Sequence, residues 1–211
     1  MSLRWKIAQA AEIRWWQNYL KKKPKTDYLI WKKDYWKTLL SKLNLNFSEG
    51  EKVLDAGCGP AGIFMILEKY KTDAMDPLLN DYEKKLDHFS KNQYPNIRFF
   101  SEPLETFFPK EKYDKVFCLN AINHVADLDL CFDKLVDFTE KGGTLIVSID
   151  AHNYSFFKKI FRLLPGDILH PHQFDLQEYE KMMTDRGCKL EQSILYKEEF
   201  FFNYYILVFT K

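Results

Sequence analysis

Val53-Leu54-Asp55-Ala56-Gly57-Cys58-Gly59-Pro60-Ala61-Gly62 is an apolar strand that ends in an acid and runs into a glycine-dense turn. Glycine has no Cβ, so such a turn lets the main chain close on a bound nucleotide-like ligand. Asp76 stands fourteen residues past Gly62, after a second short apolar stretch. The two pieces predict a strand-turn-helix-strand unit that holds an adenosine.

Gly57-x-Gly59-x-x-Gly62 also fits the dinucleotide fingerprint, with Asp76 spaced to grip a ribose. Asp55 weighs against that reading. A pyrophosphate beside it would be repelled, whereas an amine-bearing or cationic ligand finds an acceptor there. At 211 residues the chain is also short for a dehydrogenase with its added substrate domain. An NAD(P)-dependent Rossmann oxidoreductase is thus the lesser alternative.

The same stretch resembles motif I of the class I S-adenosylmethionine-dependent methyltransferases, with Pro60-Ala61-Gly62 in place of the usual glycine ending. Further segments are similar to that family in the same order. They are Asp76, Tyr113-Asp114-Lys115-Val116-Phe117, Asn120-Ala121-Ile122-Asn123-His124-Val125-Ala126-Asp127 and Gly142-Gly143-Thr144-Leu145-Ile146-Val147. The resemblance implies S-adenosylmethionine as cofactor, held by Asp55, Ala56, Gly57, Cys58, Gly59 and Gly62 of the turn. It places Asp55 near the methionine amino group and Asp76 on both ribose hydroxyls. Pro77 and Leu78 would wall the adenine, Glu102 and Leu104 would meet its amine, and Asn120 and Ala121 would lie beside the sulfonium. It implies methyl transfer to a small-molecule acceptor by direct displacement, with a non-catalytic cofactor-binding protein as the other outcome. His124, His170 and His172 are the candidates for a general base, because histidine titrates near neutral pH. His170-Pro171-His172 lacks a clear third ligand, so no metal is expected.

Outward from the turn, apolar spacing predicts helices at 3–21 and 28–43, the second capped by Asp27. Strands are expected at 52–56, 72–76, 97–100, 113–119, 143–149, 189–196 and 201–209. Helices are expected between them at 61–70, 79–91, 128–140 and 175–186, the last ended by Gly187. The alternation predicts an α/β fold, with a doubly wound, seven-stranded, mostly parallel sheet and helices on both faces. The close spacing of the final pair makes the last strand the reversed one. Residues 1–45 read as an N-terminal helical lid and 46–211 as the core, with 150–174 a substrate-side loop insertion containing a short helix at 153–163.

The net charge of +1 gives no footprint for nucleic acid. Lys21-Lys22-Lys23-Pro24-Lys25 is the one basic run and reads as a solvated helix end. Cys58, Cys118, Cys131 and Cys188 lack metal or disulfide spacing and read as core. Charges at Arg4, Lys6, Glu12 and Arg14 break any secretory or membrane-spanning run, so a cytoplasmic monomer or homodimer with no membrane partner is expected. Aromatics make up 17% of the chain, which fits either a bulky core or an aromatic-lined pocket.

Overall fold

The structure is a computed structural model that describes residues 3–152, 174–200 and 202–211, with side chains described from Ile7 onward. Seven strands form one sheet: β1 (Lys52–Ala56), β2 (Lys71–Met75), β3 (Ile97–Phe100), β4 (Tyr113–Cys118), β5 (Thr139–His152), β6 (Lys189–Lys197) and β7 (Phe202–Thr210). Their order is β3-β2-β1-β4-β5-β7-β6. β1 runs parallel to β2, β2 to β3 and β4 to β5, while β7 is antiparallel to both β5 and β6. β7 is therefore the reversed strand the sequence predicts. The chain divides into two compact units, residues 1–107 and 108–211.

In the first unit, α1 (Leu3–Leu20) and α2 (Lys25–Leu43) precede β1. α2 starts three residues earlier than the pattern suggests, and its cap is Pro24, not Asp27. Proline holds an extended ψ of 134° there, and its carbonyl already accepts from Tyr28 N at 3.0 Å. Asp27 falls in the first turn instead, where a carboxylate complements the helix dipole. The helix expected at 61–70 does not form. Two short 3₁₀ turns, Gly59–Ala61 and Ile63–Ile66, replace it. Ile63, Phe64, Met65 and Leu67 are all buried, and no single face of an α-helix can bury so continuous a run. Phe64 packs edge-on against Tyr94 at 5.0 Å and Phe99 at 5.2 Å, joining the turn to the β3 side of the unit. α3 (Leu79–Lys85) is shorter than expected because Leu86 turns to an extended backbone and buries itself. Across β2 and β3, Asp73 is buried and takes two hydrogen bonds from Arg98, at 2.6 and 2.8 Å.

In the second unit, α4 (Leu128–Phe138) is capped by Asp127, which accepts from Leu130 N. β5 starts at Thr139, earlier than expected, and continues to His152. α5 (Leu176–Thr184) begins with a capping box in which Asp175 accepts from Glu178 N while Glu178 accepts from Asp175 N. Gly187 follows α5 with φ +83°, the left-handed backbone a helix terminator takes. β6, the last strand in the sheet order, alternates exposed and half-covered residues and carries Lys189, Glu191 and Lys197, a composition that discourages further strand pairing. The helix expected at 153–163 and most of the 150–174 insertion lie outside the described residues. All four cysteines are free and buried. No helix among the described residues is long and apolar enough to cross a membrane.

Candidate functional site

β1 delivers Asp55 to its carboxyl end almost wholly buried, and β2 does the same for Asp76. Between them the chain bends sharply. Gly57 has φ +71° and Gly59 φ +56°, a left-handed backbone that glycine adopts without strain. Gly57 N and Cys58 N both donate to Met75 O, at 2.8 and 3.0 Å, which ties the turn to the end of β2. Asp76 closes the same loop. Its Oδ2 accepts from Gly59 N at 3.0 Å and its Oδ1 from Leu78 N at 2.8 Å. Each carboxylate oxygen has two acceptor positions, so each retains one for another donor.

Asp55 acts partly as a cap. Its Oδ2 accepts from Phe64 N at 3.0 Å, holding the start of the Ile63–Ile66 turn. Gly62 is packed hard against it, because a Cβ there would lie 2.3 Å from Asp55 Oδ2 and 2.6 Å from Cys58 O. The requirement for glycine at 62 is thus steric. At Gly59 a Cβ would meet only Trp16 among the described residues, at an ordinary contact distance of 3.9 Å.

Burial raises the pKa of Asp55 to about 7, against the pull of the Phe64 and Ile63 amides and the Lys32 charge. Burial also raises Asp76, and the carboxylate of Glu12 raises it further. The Cys58 thiol is pushed up by burial and by both acids, so it stays protonated. An anion beside these two acids would raise them further, whereas hydroxyl donors and positive charge brought by a ligand would favour their ionised form. That pair of acceptors, beside a glycine turn, fits a cationic nucleoside with a vicinal diol.

The other first-unit residues singled out in the sequence sit in the following positions. Ala56 and Leu78 are buried, and Pro77 is half-buried with its carbonyl 3.4 Å from Ser101 Oγ. Leu104 is buried, whereas Glu102 is exposed. Several neighbours escaped the sequence reading. Tyr82 donates to Glu12 Oε1 at 2.7 Å, bringing α1 to α3. Trp36 Nε1 donates to Ala61 O at 2.9 Å, pinning α2 to the turn. Lys32 lies one helical turn before Trp36. An apolar period marks the inner face of a helix but does not say which aromatic on it meets a loop 25 residues away.

In the second unit, Asn120 takes φ +55°, and its N–H donates to Ser148 Oγ at 2.7 Å. Ala121 is half-buried, and His124 ends a short 3₁₀ turn, Ile122–His124, with its side chain exposed. The buried neighbour is Asn123, which the sequence reading passed over. Its Nδ2 donates to Asp150 Oδ2 at 2.9 Å, and its Oδ1 accepts from Tyr179 Oη at 3.2 Å. His170 and His172 lie outside the described residues. Among those described, no histidine, cysteine, aspartate and glutamate group is arranged to hold a metal ion.

The sheet order and the glycine turn between two carboxylate-tipped strands define an α/β protein of the nucleoside-binding type. Residues 28–193 match the methyltransferase domain family, and the chain belongs to it. It is 25% identical over 158 residues to malonyl-[acyl-carrier protein] O-methyltransferase 2 of Ilyobacter polytropus, a match covering 70% of this chain and 60% of that protein. It is 28% identical over 114 residues to the ubiquinone biosynthesis O-methyltransferase of Rickettsia prowazekii, covering 52% of this chain and 45% of that protein. The match thus spans less than two thirds of either relative. The fold is similar to that of magnesium protoporphyrin IX methyltransferase from Synechocystis, solved with S-adenosylhomocysteine bound (TM-score 0.57, 20% identity, 87% of this chain and 84% of that one).

Proposed function

We propose that this protein transfers a methyl group from S-adenosylmethionine to a small-molecule acceptor. The observation that carries the reading is Asp76. It is a buried carboxylate joined to the Gly59 turn, with one acceptor position left on each oxygen. That arrangement suits the two hydroxyls of a ribose, and a charged acceptor makes such bonds stronger than neutral ones. Membership of the methyltransferase domain family supports the chemistry, and the ubiquinone biosynthesis relative supports a small-molecule acceptor.

The cofactor supplies an electrophilic methyl on a sulfonium. The residues of the chain bind and orient it. Gly57 and Gly59 bring backbone close to the ligand, Asp76 takes the diol, and Asp55 offers a carboxylate toward the amino-acid end. Leu78 and Leu104 give apolar surface for the base. Alignment of the acceptor with the methyl contributes about 7–11 kcal/mol at best in such displacements.

Isothermal titration with S-adenosylmethionine and S-adenosylhomocysteine tests the reading. Binding by the wild type, lost in the Gly57→Val/Asp76→Ala double variant, is expected. No heat from either ligand at millimolar concentration defeats the proposal.

A further inference from the structure

Lys32 is a lysine on α2 with unusual surroundings. Its ammonium stands 4.4 Å from the ring centre of Trp36, 4.6 Å from Tyr35 and 5.9 Å from Trp31. The Trp36 ring is fixed through its hydrogen bond to Ala61 O, and Ala61 adjoins the glycine that presses on Asp55. The ammonium is therefore carried to the glycine turn on a ring that cannot easily move. Burial lowers the Lys32 pKa to about 8, while the charge of Asp55 acts in the opposite direction. Each group thus feels the other. Yet among the described residues the half-buried Lys32 ammonium forms neither an ion pair nor a hydrogen bond with another side chain or carbonyl. A desolvated cation held only by aromatic faces is costly unless an anion reaches it.

A buried anion and an unpaired cation, near one another but not in direct contact, match the two ends of an amino-acid zwitterion. We propose that Lys32 anchors the α-carboxylate of the cofactor's methionyl group, while Asp55 faces its α-ammonium. This rests on the functional reading above and deepens it. It makes α2 part of the cofactor site as well as a cover for it, and it assigns the aromatic run Trp31, Tyr35 and Trp36 to holding the lysine. Lysine suits the task because its ammonium is a compact charge on a long stem that packs along the Trp36 ring.

The test compares two ligands that share the adenosine and the thioether. S-adenosylhomocysteine carries the amino-acid end, and 5′-methylthioadenosine ends in a methyl group. Titration calorimetry of wild type, Lys32→Met and Lys32→Arg measures each affinity. Lys32→Met, which keeps the apolar stem, is expected to bind S-adenosylhomocysteine about tenfold or more weakly, as loss of a charge-assisted contact implies. Its affinity for 5′-methylthioadenosine is expected to stay within about twofold, because that ligand has no carboxylate. Lys32→Arg restores most of the lost affinity and shows that the charge is what counts. Equal weakening of both ligands by Lys32→Met, or of neither, overturns the assignment while the methyltransferase reading stands. Failure of the wild type to bind either ligand overturns both.

Discussion

Asp76 Oδ2 accepts a hydrogen bond from Gly59 N at 3.0 Å, across seventeen positions of chain. The end of β2 and the turn after β1 are therefore one construction. Asp76 also holds Leu78 N, so it organises the loop before any ligand arrives. Asp76→Ala removes both acceptors and leaves two amides to find water. A stability loss of about 1–3 kcal/mol is expected in urea unfolding. The same variant is expected to abolish S-adenosylhomocysteine binding. A variant that binds the ligand as the wild type does would show that the ribose lies elsewhere.

The raised pKa of Asp55 makes stability depend on pH in a defined direction. An acid with a higher pKa in the native chain than in the unfolded chain holds its proton more tightly when folded. The native state therefore loses stability as pH climbs from the ordinary 3.8 toward about 7, and the loss is complete above that. Asp76 shifts in the same direction, while the nearby Lys32 charge opposes the shift of Asp55. Asn at 55 keeps an oxygen for Phe64 N but has no proton to lose. Thermal unfolding of Asp55→Asn is thus expected to fall less between pH 4 and 7 than that of wild type, with a remainder from Asp76. Parallel curves for the two proteins would count against a buried, proton-retaining Asp55.

How much of this was legible in the sequence differs from element to element. β1, its turn and Asp76 were readable because glycine and a strand-end acid are local signals. The Asp175-x-x-Glu178 box was also local and marks the start of α5. The segment after Gly62 misled, since a run of apolar residues fits a buried turn as well as a helix. Lys32 and Glu12 were invisible for a different reason. Their partners, the Trp36–Ala61 link and Tyr82, are set by how helices pack, and a helical period does not encode that. Asn123 looked like part of a loop because its partner Tyr179 comes 56 residues later.

Gly62 offers a test of sterics free of backbone strain. Its φ is −73°, which any residue adopts, so only the missing Cβ distinguishes it. Gly62→Ala drives a methyl into Asp55 Oδ2 and the Cys58 carbonyl. Backbone cannot yield as a flexible side chain would, and a cost of about 1–3 kcal/mol is expected from such overpacking. Gly50, with φ +78° and nothing within 4 Å, is the control. Gly50→Ala is expected to cost about 1 kcal/mol from the left-handed backbone alone. It should leave S-adenosylhomocysteine binding intact, whereas Gly62→Ala should weaken it by displacing Asp55. Equal melting temperatures for wild type and Gly62→Ala would show that the turn has room the geometry denies.

Asn123 makes the corresponding test in the second unit. It is buried, with its amide donating to Asp150 and its carbonyl accepting from the wholly buried Tyr179. Burial, with the Asp150 charge, pushes the Tyr179 hydroxyl well above the ordinary 10, so it remains a donor throughout the neutral range. Tyr179→Phe removes that donor and leaves Asn123 Oδ1 wanting a partner, at a cost of about 1–2 kcal/mol. Asn123→Ala strands the Tyr179 hydroxyl and opens a small void as well, so a larger loss, about 2–3 kcal/mol, is expected. The double variant should lose less than the sum of the two, because each single change already breaks the shared bond. Strict additivity in urea unfolding would mean that the Tyr179–Asn123 contact contributes nothing to holding α5 beside the turn at Ile122–His124.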